Sequence, residues 1–142
     1  IDLIEVKAKS VDDPKEPGFL GKKGDVTSIW EPYLIDIAFQ KYVALKSFPG
    51  YRINAFLMLA DKSAECPTDG LNQKFLVVTD ETGRKSVKVS GNISKNDLDP
   101  QILCKIDVNN ICEIFYDDYY GKNSNLSFDD YVNMLSEILK KK

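Results

Sequence analysis

The chain has 142 residues, one ordinary domain's worth, with 43% hydrophobic and 29% charged residues, a balance that excludes disordered and collagen-like classes. Its 19 Lys and Arg against 22 Asp and Glu leave a net charge of −3, so no global basic field attracts nucleic acid and any such binding is local. It has no histidine, which removes Ser-His, Cys-His and His-ligated metal mechanisms from within the chain.

Residues 1–8, IDLIEVKA, alternate as a strand does. The chain starts inside this strand without an initiator Met, which predicts that it is the C-terminal part of a longer protein. Residues 10–28 hold two Pro, three Gly and seven charged residues and read as a long loop of the functional or mobile kind. Residues 31–48, EPYLIDIAFQKYVALKSF, read as a helix with Pro32 in its first turn and Pro49-Gly50 as its stop. Leu34, Ile37, Ala38 and Leu45 trace its apolar stripe, and Phe39, Tyr42 and Val43 widen it, so this helix is expected to be largely buried. Residues 51–60 are apolar almost without alternation from Ile53, the pattern of a strand covered on both faces. Strand, helix and strand in this order predict a right-handed crossover unit.

Further on, KFLVVTD (74–80) and SVKVSG (86–91) flank a turn at Gly83 and predict a hairpin. Asp107-Val108-Asn109-Asn110 opens a helix that Gly121 should end, and Ser127 with Asp130 forms a capping box for a last helix with terminal lysines. The expected architecture is a mixed α/β layer, with strand 1–9 beside strand 51–60, helix 31–48 across one face, and two acidic helices at the end. No repeat, low-complexity tract or second domain stands out, and no apolar run reaches the ~20 residues of a membrane helix.

Cys66, Cys104 and Cys112 lack CxxC spacing, and three cannot all pair. Free thiols in a reducing, cytoplasmic compartment are the expectation. A four-cysteine cluster would need a ligand from outside the chain.

Two pairs of residues carry the candidate chemistry. Glu5 and Lys7 stand two apart on a strand and so share one face, about 7 Å apart along the backbone. A screened surface ion pair is one reading of them. The other is a hard oxygen ligand for Mg²⁺ or Mn²⁺ beside an ammonium that positions water or stabilises charge on a phosphate oxygen. Asp36 and Gln40 are four apart on the helix, with Tyr33 on the same face. They form either an exposed polar stripe or a reach toward a polar site.

The segments LIEVKAKS and YLIDIAFQKYVAL, separated by a variable loop, resemble the PD-(D/E)xK nuclease superfamily in its RecB-like branch. More narrowly they are similar to an uncharacterised bacterial family whose Glu-x-Lys strand precedes a helix of the form Asp-x-Ala-Phe-Gln-x-Tyr-Val. The likeness is strongest over residues 1–48 and continues through AFLMLA and CKIDVNNICEIF. It implies a restriction-endonuclease-like core lacking its N-terminal strands over residues 1–60, followed by a family-specific hairpin and C-terminal helices over 61–142. It implies Glu5 as a metal ligand, the carbonyl of Val6 as another, Lys7 as catalytic, and Gln40 as the glutamine of the helix motif. Asp36 matches the family pattern.

Two positions depart from that pattern. The superfamily's other metal-binding Asp belongs to a preceding strand. Asp2 falls on the face opposite Glu5, and Asp12, Asp13 and Asp25 come too late in the chain. RecB-like helices also place a Tyr four residues after the Gln, where this chain has Ala44.

The resemblance implies part of an Mg²⁺-dependent nuclease, inactive alone, acting on nucleic acid with DNA ahead of RNA. A non-catalytic binding or scaffolding domain of the same fold is the alternative, as is an unrelated α/β domain. Lys15, Lys22 and Lys23 could contact phosphates. Against this, residues 113–137 carry six acids (Glu113, Asp117, Asp118, Asp129, Asp130, Glu137) and one base, Lys122. The aromatic residues Phe115, Tyr116, Tyr119 and Tyr120 fit a core or partner surface better than a base-stacking platform. Missing upstream strands would leave a raw sheet edge that recruits a second copy as a homodimer.

Overall fold

A computed structural model describes residues 1–99, 101–118 and 126–141. The order is β1 (Asp2–Val11), α1 (Glu31–Ser47), β2 (Asn54–Asp61), β3 (Phe75–Thr79), β4 (Lys85–Val89), β5 (Leu103–Asp107), α2 (Asn109–Asp118) and α3 (Phe128–Lys140). The fold is mixed α/β. A three-stranded sheet runs in the order β1-β2-β5, and β3-β4 form a separate hairpin. No helix among the described residues is long and apolar enough to cross a membrane.

β1 and β2 are parallel, Glu5 facing Leu57 and Val6 facing Met58, so α1 is the crossover between them. β5 returns antiparallel on the other side of β2, with Leu57 opposite Ile106. Pro32 lies in the first turn of α1 as expected, and the helix ends two residues before Pro49. Asp107 accepts from the Asn109 amide at 2.8 Å where β5 passes into α2. The Ser127 hydroxyl accepts from the Asp130 amide at 3.2 Å and donates to the Asp130 carboxylate, starting α3. In the hairpin turn, Asp80 Oδ1 accepts from the Thr82 and Arg84 amides, and Gly83 supplies the positive φ of 83°.

The core lies on one side of the sheet. Ala55, Leu57 and Leu59 of β2 meet Leu34, Ile37 and Ala38 of α1 and Ile111, Cys112 and Phe115 of α2. Burial along β2 alternates, which overturns the expectation of cover on both faces. Phe56 and Met58 are only partly buried, and their neighbours Ile4, Val6 and Leu103 are exposed. An apolar run does not say which of its faces is covered; packing does.

α1 is likewise less buried than its composition suggests. Leu34, Ile37, Ala38 and Lys41 face the core, while Phe39, Val43 and Leu45 are exposed. The buried stripe follows i, i+3, i+4, i+7 and ends at Lys41, while Leu45, expected to extend it, is exposed.

The loop after β1 is anchored. Phe19 is buried and stacks edge-on against Trp30, with ring centroids 5.0 Å apart. Leu20 bridges to Val26, and Thr27 bonds the Phe19 carbonyl. Phe115 belongs to the core, and Tyr116 packs on Phe128 with its hydroxyl donating to the Ala38 carbonyl at 2.8 Å. The expected Gly121 stop, Tyr119, Tyr120 and Lys122 lie outside the described residues.

Candidate functional site

The candidate site lies where β1 crosses α1. Period-two alternation turns Leu3, Glu5 and Lys7 toward the helix, and Ile4 and Val6 toward the open face. On α1, Tyr33, Asp36 and Gln40 line up at spacings of three and four. The two faces meet.

Lys7 Nζ lies 2.8 Å from Glu5 Oε1 and also pairs with Asp36 Oδ2. Gln40 Nε2 donates to Glu5 Oε2 at 3.1 Å and to Asp36 Oδ1 at 3.2 Å. One ammonium and one carboxamide thus bridge two carboxylates from different elements. The Tyr33 ring closes one side, with its centroid 6.0 Å from Lys7 Nζ and 5.3 Å from Lys9 Nζ. Every expected headgroup of Glu5, Lys7, Asp36 and Gln40 is therefore in one cluster. The Val6 side chain points away from it, which leaves only its main-chain carbonyl as a donor.

The cluster is half-buried: side-chain exposure is 18% for Lys7, 26% for Glu5 and 42% for Asp36. The hydrogen bond with Asp36, then that with Glu5, raises the Lys7 pKa above its ordinary value against the opposing effect of burial. The Lys7 hydrogen bond in turn lowers the Asp36 pKa, with Gln40 adding to it and burial opposing it. Both shifts favour the charged forms, so Lys7 is an ammonium and Asp36 a carboxylate at neutral pH.

The oxygen donors are of the kind Mg²⁺ and Mn²⁺ prefer. Their number is small, because no group of three Asp, Glu, Cys or His side chains suited to a metal ion converges among the described residues. Asp2 lies across the sheet, bonded to Asn54 at 2.8 Å and near Lys105, as its offset from Glu5 requires. Asp12 pairs with Lys62, and Asp13 accepts from the Lys15 amide. Lys15, Lys22 and Lys23 are exposed along the loop.

Two features escaped the sequence reading. Lys9 stands over Tyr33, and Lys41 is buried between α1 and α2 with Glu113 at 2.8 Å. Alternation along β1 was a signal for the first, and the three-four spacing from Leu34, Ile37 and Ala38 was one for the second.

Compared with known protein families, curated proteins and solved structures, the chain finds no match in any of the three.

Proposed function

We propose that the chain belongs to a metal-dependent nuclease domain with a restriction-endonuclease-like core of the PD-(D/E)xK, RecB-like kind. The reading rests on one observation: Glu5, Lys7, Asp36 and Gln40 converge from β1 and α1. Its substrate would be nucleic acid, DNA ahead of RNA, and a cytoplasmic setting belongs to the same proposal.

The donor chemistry fits Mg²⁺ or Mn²⁺ in kind. Glu5 and the Val6 carbonyl would hold the ion, with water completing the shell. Such an ion supplies Lewis-acid polarisation of a phosphate oxygen. Lys7 is held as an ammonium by its two carboxylates, so its role is to stabilise charge on a phosphate oxygen rather than to abstract a proton. Gln40 positions Glu5.

The shortage of carboxylates favours a second reading, a non-catalytic scaffold of the same fold. Titration calorimetry with Mg²⁺ and Mn²⁺, paired with incubation on single- and double-stranded DNA, separates the two. The nuclease reading expects weak binding, on the order of millimolar, lost in Glu5→Gln, and no cleavage by this chain. Absence of binding at about 10 mM ion supports the scaffold. Cleavage abolished by Glu5→Ala would show that the site is complete without a further Asp.

A further inference from the structure

Two lysines of β1 stand beside the same ring and are bound differently. Lys7 lies between Glu5 and Asp36, so two of its three N–H donors are occupied. Lys9 makes no ion pair or hydrogen bond among the described residues. Its ammonium rests over the Tyr33 ring, with Nζ 5.3 Å from the centroid.

An irregularity in β1 places it there. From Val6 to Ser10 the strand advances four residues while β2 advances two, from Met58 to Ala60. A bulge of this kind bends its strand and re-aims side chains, and this one falls at Lys7 to Lys9. β1 is the outer strand of its sheet, and the bulge with its two lysines makes that edge a poor template for another strand. The ring that carries Lys9 is itself held. Tyr33 packs edge-on against Trp30, with centroids 6.0 Å apart, and Trp30 packs against the buried Phe19. The Tyr33 hydroxyl has no hydrogen-bond partner among the described residues.

Charge gives this placement a use. In formal charge the two acids Glu5 and Asp36 outweigh the single Lys7, so the cluster by itself repels an approaching anion. Lys9 cancels that excess at the cluster's rim. It is exposed, and its three N–H donors are free for an oxyanion. An anion that meets Lys7 instead must compete with two carboxylates already in contact.

We propose that Lys9 anchors the nucleic-acid backbone at this site, its ammonium on Tyr33 binding a phosphodiester beside the Glu5 cluster. The identity of the anion rests on the nuclease reading. Fluorescence anisotropy of a labelled oligothymidylate, titrated with about 1 to 100 µM chain in metal-free buffer at several salt concentrations, tests it. Lys9→Gln should weaken binding about fivefold and lower the salt slope by about one phosphate contact. Lys9→Arg should keep both, and so should Lys95→Gln, at an exposed lysine outside β1 and α1. The melting temperature of Lys9→Gln should match the wild type, because the residue is exposed and unpaired, so lost binding is not lost folding. Binding that keeps its strength and salt slope in Lys9→Gln overturns the proposal and leaves the nuclease reading to its metal titration. Absence of binding throughout this range overturns it too. So does displacement of the strand by about 10 mM inorganic phosphate beyond the effect of chloride at equal ionic strength, which would make the anion a free one. Lys9-dependent binding by a chain that takes up neither Mg²⁺ nor Mn²⁺ supports the backbone contact and counts against the nuclease reading.

Discussion

Gln40 Nε2 reaches from α1 to Glu5 Oε2 at 3.1 Å, joining residues 35 positions apart in the chain. The same amide also donates to Asp36, so one side chain ties a strand carboxylate to a helix carboxylate. Without it the two acids keep only Lys7 between them. Gln40→Leu is expected to lower stability by about 1 kcal/mol. Gln40→Glu should cost a similar amount in metal-free buffer and recover it on adding Mg²⁺, because a third carboxylate repels the first two until a cation offsets it. Urea unfolding with and without Mg²⁺ measures both. A Gln40→Glu protein indifferent to Mg²⁺ counts against a cation-binding pocket.

The Lys7 cluster also sets a pH dependence. The Asp36 pKa is lowered from 3.8, so its contribution is complete above that value and is lost as pH falls through the depressed one. The Lys7 pKa is raised from 10.5, so its contribution is complete below that value and is lost as pH rises through the elevated one. Stability from this cluster should be flat across neutral pH and fall at both extremes. Lys7→Met should be less stable than the wild type at pH 7, with the gap closing in acid as Asp36 protonates. A gap of constant size down to about pH 2 would contradict the pairing.

Lys41 offers a different balance. Its side chain is 7% exposed and its partner Glu113 is 55% exposed, so the ammonium is the group taken out of water. Glu113→Ala should destabilise by about 1–2 kcal/mol, discounted for solvent around the carboxylate. Lys41→Met should be neutral or stabilising, since it removes the buried charge and keeps the volume. Thermal denaturation of both variants checks the order. If Lys41→Met proves the worse of the two, the buried amine has a role beyond packing.

The cysteines should label in order of exposure. Cys66 is exposed, Cys104 is intermediate and Cys112 is buried. Burial pushes the Cys112 thiol up to about 11, leaving about one part in a thousand as thiolate at pH 8. Iodoacetamide should modify Cys66 first and reach Cys112 only on unfolding. Mass spectrometry of a labelling time course resolves the order, and early modification of Cys112 would place α2 away from the core.

Several features were readable without coordinates because they depend on local periodicity. Two-residue spacing put Glu5 and Lys7 on one strand face and sent Asp2 to the other, where it meets Lys105. Four-residue spacing put Asp36 and Gln40 on one helix face. Gly83 marked the hairpin turn, where the structure gives it a φ of 83°. The one-sided cover of β2 was not readable, because Phe56 and Leu57 are equally apolar and only their neighbours differ. Nor was the partner of Lys41, since Glu113 lies 72 residues away in the chain.

The amino-acid order by itself determined which side chains share a face, since backbone geometry repeats every two or 3.6 residues whatever lies nearby. Only the tertiary structure decided that the Glu5 face meets the Asp36 face, that Lys7 sits between the two acids, and that one side of the sheet is left open. Those outcomes depend on how the crossover helix lies against the strands, and that is set by contacts between segments far apart in the chain.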